Sequence, residues 1–431
     1  MGVEERSQFN LGLTFTVRRL DGSIREVYER DEPVAYLWKR VTVRGEDGSV
    51  KSDSGDQLSH SYTINFVKML EYFMRSGTGT HPDILAYDIT NTQRVITQWV
   101  AGYAEGGNKT WEAWWANALE DDDGFGIVLG TDDTAETNND HALGSKITQG
   151  NGSGQLEYSP MSYVAPRING QYVDLVLIRS FYNNSGESIT AYEFGLYTKQ
   201  ARAASPTWTT WCMIRDTDSL GKTVLHGDTM TVQYTLRVGA GFTMQWWECL
   251  VEWLMCVYHT AQGHTGLASI TDVNGVEKNG VMHLQGYYAA SQCNVTSFQM
   301  NAADNVDTYG IVVGSGENAE TLTDYALQTK ISHGTGMGQL DYNATTFVAA
   351  AEVDENVDLI MSRSFFNGGS SQVVVKEVAW YLKNVKRASY GYDDGELCYM
   401  CAIRDSLGVG VTINVGDSGT VQYTLRSNIG V

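Results

Sequence analysis

Residues 125–158 and 309–342 are one segment written twice. The first reads FGIVLGTDDTAETNNDHALGSKITQGNGSGQLEY and the second YGIVVGSGENAETLTDYALQTKISHGTGMGQLDY. They align without a gap at an offset of 184 residues, which matches Gly126 with Gly310, Gly130 with Gly314, Asp140 with Asp324 and Lys146 with Lys330. A register held over so long a segment means a repeated structural unit. At the same offset VDLVLIRSFYN (173–183) matches VDLIMSRSFFN (357–367). Further on the offset becomes 189, where MIRD (213–216) meets AIRD (402–405) and GDTMTVQYTLR (227–237) meets GDSGTVQYTLR (416–426). The extra five residues of the second copy fall near 383–399, in a segment that reads as a loop, where insertions are tolerated.

The matched segments have strand character. Val173, Leu175, Leu177 and Phe181 alternate, as do Val357, Leu359, Met361 and Phe365, so one face of each strand is core. Forty-five glycines against five prolines suit turns and bulges rather than a stiff linker. Upstream, Asp21-Gly22 and Asp47-Gly48 each sit between runs of strand formers, which predicts β-hairpins within an N-terminal ribbon of residues 1–60. That ribbon is charged on both faces and is expected to lean on a neighbouring domain or another chain. Residues 63–76 then take helical period, with Phe66, Val67, Leu70, Phe73 and Met74 on one stripe. Read at the offset of 184, residues 247–258 repeat that stripe with Leu250, Val251, Leu254, Val257 and Tyr258.

Arg179 interrupts the apolar face of its strand, and Glu193 follows on the next; Arg363 and Glu377 repeat the pattern. A buried charge needs a partner, so the expectation is cross-strand ion pairs Arg179–Glu193 and Arg363–Glu377. Trp111, Trp114 and Trp115 fit a short helical face and are not repeated, since Val295 stands opposite Trp111. Such a stripe reads first as core; the alternative is that, together with Trp208, Tyr390 and Tyr392, they form a candidate surface-recognition set suited to stacking on sugars. Asp132 stands where the second copy has Gly316, which predicts a weakened turn in the first copy. The acidic run Glu120–Asp123 lacks EF-hand spacing and reads as a solvated loop.

The motif GIVVGSGENAETLTDYALQTKI, the R-S-F-F-N strand, K-E-V and A-I-R-D together resemble a recurring domain of tailed-bacteriophage virion proteins. The likeness covers about 60–431, twice, and is interrupted at His141, where the second copy has Tyr325. It implies a structural role in a tail, neck or capsid surface, partners that are other virion proteins and copies of the chain itself, and location in the virion after synthesis in the host cytoplasm.

Composition limits the alternatives. The net charge of −21 disfavours a nucleic-acid footprint. No apolar run is long enough for a membrane helix, and the first ten residues lack a secretion signal's basic end and apolar stretch. Six cysteines without a second CxxC or clustered histidines predict neither a disulfide framework nor a metal site. HExxH, G-x-S-x-G and phosphate-loop patterns are missing. The expected fold is mainly β: two tandem β-sandwich domains, 61–237 and 238–431, each with a short amphipathic helix, preceded by the ribbon. The expected function is a non-enzymatic virion component assembling through β-edges and loops, with no cofactor. A receptor- or host-glycan-binding appendage is the second reading, and a polysaccharide-degrading enzyme the third.

Overall fold

The structure, a computed structural model, describes residues 9–59, 62–75, 84–96, 116–202, 205–239, 241–246, 269–279, 281–282, 299–354, 356–387 and 395–428. The fold is mainly β. One twelve-stranded sheet carries strands of both copies, and each copy adds a smaller sheet of its own. In the large sheet each copy contributes an arginine strand (Tyr172–Tyr182 or Asn356–Phe366) and a closing strand (Thr229–Val238 or Ser418–Asn428). In the small sheets a glutamate strand (Ile189–Arg202 or Val373–Arg387) lies between a return strand (Ser205–Val224 or Gly395–Ile413) and a short strand (Gly126–Gly130 or Gly310–Gly314).

The ribbon forms the centre of the large sheet. Its first strand, Phe9–Arg18, pairs along its length with the closing strand of copy two, from Phe9 opposite Ser427 to Arg18 opposite Ser418. Its second strand, Ile24–Arg44, pairs through Ala35–Arg44 with the closing strand of copy one. The ribbon therefore leans on both copies of its own chain. Phe9, Leu11, Leu13, Phe15 and Val17 point into the core, as do Met230, Val232, Tyr234 and Leu236 across the sheet. At roughly 1.5–3 kcal/mol for each such side chain buried, this face is a main source of stability.

The ribbon is itself a repeat. TVRRLDGSI (16–24) and TVRGEDGSV (42–50) match at an offset of 26 residues (Asp21 to Asp47). Both turns close alike: Ser23 N and Ser49 N donate to the carboxylates of Asp21 and Asp47 at 2.9 Å. Gly22 (φ 82°) and Gly48 (φ 79°) occupy the left-handed positions the turns require. The first hairpin serves copy two, where Arg25 pairs with Asp417 at 3.0 Å, and the second serves copy one, where Lys51 pairs with Asp228 at 2.6 Å. Arg25 and Lys51 are equivalent in the hairpins, and Asp417 and Asp228 in the copies.

The helix runs from Ile64 to Arg75. Thr63 anchors its entry, donating from N to Met213 O (3.0 Å) and from Oγ1 to Cys212 O (2.7 Å). In copy two Thr243 does the same with Ala402 O (2.9 Å) and Cys401 O (2.6 Å). The entries thus correspond at an offset of 180 residues (Thr63 to Thr243), one helical turn away from the 184 read from the sequence. Copy one's helix packs on the edge strand of copy two, Thr346–Val353.

Deleting residues 1–58 strips one pairing edge from each closing strand and removes the ribbon's whole apolar face. The truncated chain is expected to lose its cooperative thermal transition, followed by circular dichroism. Recovery of a soluble, cooperatively melting fragment would contradict this dependence on the ribbon.

Candidate functional site

Each copy buries an arginine centre and a glutamate centre, and the first surrounds its arginine. A guanidinium has five N–H donors, and Arg179 places all five on backbone carbonyl oxygens. Nε donates to Ser159 O at 2.8 Å; Nη1 donates to Phe125 O and Ile127 O at 2.9 and 3.0 Å; Nη2 donates to Leu119 O and Asp122 O at 3.2 and 2.6 Å. The Tyr158 ring lies under the guanidinium at 4.8 Å. Arg363 repeats the cage on Asn343, Tyr309, Ile311, Ala303 and Val306, each carbonyl offset by 184 from its counterpart, with Tyr342 beneath at 4.9 Å. Burial pushes both guanidinium pKa values down to about 10, so both stay charged at neutral pH.

The second centre surrounds the glutamate. Glu193 is fully buried and accepts N–H bonds from Asp132 (3.3 Å), Gly144 (2.8 Å) and Ser145 (3.1 Å), and from Arg215 Nε at 2.9 Å. Glu377 receives Gly316 (2.9 Å), Gln328 (3.0 Å), Thr329 (2.8 Å) and Arg404 Nε (2.9 Å). Each arginine then reaches an aspartate, Asp140 or Asp324, at 2.8 Å. The carboxylate thereby ties the loop that runs from Gly130 or Gly314 through the repeated D-x-A-L segment to the small sheet. Charge-assisted bonds to a buried acceptor contribute about 1.5–3 kcal/mol each.

The pairs expected from the sequence, Arg179–Glu193 and Arg363–Glu377, are not formed. The arginine strands belong to the large sheet and the glutamate strands to the small ones, so these residues are not cross-strand neighbours. Arg215 and Arg404, on the R-D segments, are the partners that sequence reasoning missed. The repeated MIRD and AIRD signature carried the signal.

The loop around each glutamate has one tight spot, and the copies relieve it differently. In copy two Gly316 lies against Gln328; a Cβ there would also meet Glu377 Oε1 at 2.6 Å. In copy one the equivalent residues are Asp132 and Gly144, and a Cβ on Gly144 would collide with the Asp132 side chain. The small residue has changed sides, so the glycine lacking at 132 is made good at 144. The single variant Gly144→Gln is expected to cost about 1–3 kcal/mol through overpacking. Asp132→Gly combined with Gly144→Gln is expected to recover most of it, as read by chemical denaturation.

The aspartates next to these arginines differ between the copies. In copy one Asp216 meets Lys39 of the ribbon at 2.9 Å, and both are buried. In copy two Leu13 holds the ribbon position equivalent to Lys39. Asp405 instead accepts from Tyr423 Oη at 2.6 Å and faces Arg30 at 3.5 Å. Burial raises the Asp405 pKa to about 6, against the lowering effects of Tyr423 and Arg30. A folded-state pKa above the unfolded value means stability present below about pH 4 and lost as pH rises through 6. Asp405→Asn is expected to remove that loss, on the order of 3 kcal/mol, so that the pH 4 and pH 7 melting temperatures of the variant lie closer together than those of the parent chain.

An apolar cavity of about 40 Å³ lies between the ribbon and the helix entries, lined in part by Phe9, Ala35, Tyr62, Phe66, Phe242 and Trp246. Of the candidate recognition residues, Trp111, Trp114, Trp115, Tyr390 and Tyr392 lie outside the described residues. Trp208 sits on the copy-one return strand opposite Ala201. No group of histidine, cysteine, aspartate and glutamate suited to a metal occurs among the described residues. No protein-family model, functionally described protein or solved structure matches this chain.

Proposed function

We propose that the chain is a non-enzymatic structural component of a tailed-phage virion, built as two β-sandwich-like units fused through a shared ribbon. Besides the motif resemblance, one observation carries the reading. Charged side chains buried at matched places in both copies, Arg179, Glu193 and Arg215 with Arg363, Glu377 and Arg404, are engaged in holding loops. Glu193 and Glu377 each receive three backbone amides and an arginine. A glycosidase needs two carboxyl groups flanking a substrate bond, and these two are enclosed in separate copies. Such centres make a rigid frame whose loops and strand edges are the parts left for other subunits. The partners of this reading are other virion proteins and further copies of the chain.

The test is an antibody against the chain, applied to purified particles of the virus that encodes it. Mass spectrometry of the same particles gives the copy number. The expected result is stoichiometric incorporation and labelling at one place on the tail, neck or capsid surface. Particles that lack the chain would overturn the proposal.

A further inference from the structure

The ends of the twelve-stranded sheet are formed in part by Ser162–Asn169 of copy one and Thr346–Val353 of copy two, each paired on one side to its arginine strand. Unpaired strand edges are templates for adding a strand from another chain. Both strands carry a register irregularity at the same place, opposite Asp174–Val176 and between Val348 and Ala351. There the two copies differ. Pro166 stands at the irregularity in copy one and has no N–H to offer. Its equivalent is Ala350, whose N–H donates to Glu71 Oε2 at 2.8 Å.

Glu71 comes from the helix of copy one and is 1% exposed. Its other oxygen is held by Arg75, one turn along the helix. A second tie from copy one, Asn139 Nδ2 to Glu352 Oε2 at 2.9 Å, reaches the same strand. Counted at the offset of 180 set by Thr63 and Thr243, the residue matching Glu71 is Val251, which lies outside the described residues and has no side-chain acceptor. The pairs therefore exchange together: acid with amide, and apolar residue with proline. That correspondence is expected if the carboxylate exists to occupy this particular N–H.

We propose that Glu71 is a guard on the Thr346–Val353 edge, holding shut a site through which two copies of this chain associate strand to strand. The site pairs with itself, because the opposite end of the sheet is blunted by Pro166 and cannot supply the matching amide. Exposed Val348 and Val353 flank the guarded amide on that strand. Displacing the helix from the edge opens it. The proposal rests on the structural-component reading but is tested on the isolated chain, so particle labelling and this experiment fail independently.

The experiment compares the parent chain with Glu71→Ala, Glu71→Gln and Glu71→Ala/Ala350→Pro by light scattering after size exclusion and by amide hydrogen exchange. Glu71→Ala is expected to raise exchange at Ala350 about tenfold, the equivalent of one hydrogen bond to a charged group, and to increase the dimer fraction. Glu71→Gln keeps an acceptor and is expected to behave as the parent. The double variant, which copies the proline of the other edge, is expected to return to the parent's dimer fraction. If Glu71→Ala melts non-cooperatively, the Gln variant decides alone: a dimer fraction above the parent's overturns the proposal. So does association of the double variant equal to that of Glu71→Ala, or a cooperatively folded Glu71→Ala that associates no more than the parent.

Discussion

Backbone pairing between the ribbon and the two closing strands is the constraint on which this molecule depends. Each closing strand has its own arginine strand on one side and would otherwise present a bare row of N–H and C=O groups on the other. The ribbon satisfies both rows at once and pairs with itself between them. Two repeated units thereby become parts of one sheet. The domain limits drawn at 60 and 237 mark sequence boundaries inside a continuous hydrogen-bonded structure.

Within that frame the loops are held by charge placed where water is excluded. Arginine cages in the large sheet gather carbonyl groups, and glutamate centres in the small sheets gather amides. The two are opposite solutions to one problem, since irregular backbone that is buried must still find partners. A cationic fork answers loops that turn their carbonyls inward, and an anionic acceptor answers loops that turn their amides inward. Their recurrence at matched offsets shows that the loop conformations, and not only the strands, were duplicated.

The repeat, the strand character and the core faces were legible in the sequence because alternation of Leu, Val and Phe fixes which side of a strand is buried. Partner choice was not legible. Arg179 and Glu193 lie on consecutive strands, yet the chain crosses between sheets in the intervening turn, and no local signal marks that crossing. The offset of 180 at the helix entries was not legible for a different reason, and residues 247–258 themselves lie outside the described residues. Four residues rotate an α-helix by a full turn plus about 40°, so an apolar stripe survives a four-residue shift nearly in phase. Fixed points such as Thr63 and Thr243, each anchored to a return strand, are needed to set the register. The duplication inside the ribbon was in plain view at Asp21-Gly22-Ser23 and Asp47-Gly48-Ser49, but short hairpin signals are common enough to hide a kinship between two of them.

The crossed service of the two hairpins has a consequence for how the chain is made. The second hairpin meets its closing strand once residues 229–238 have been made, little past the middle of the sequence. The first hairpin waits for Ser418–Asn428, since Phe9 lies opposite Ser427. At ribosomal speeds of roughly 5–20 residues per second, that wait is on the order of 20–80 s. During it, copy one's pairings can be complete while Phe9–Arg18, already paired with Ile24–Ala35 on one side, has its other edge open. The sheet is joined across both copies only when Ser418–Asn428 reaches Phe9–Arg18, so a chain cut before Ser418 would leave one edge of the ribbon bare.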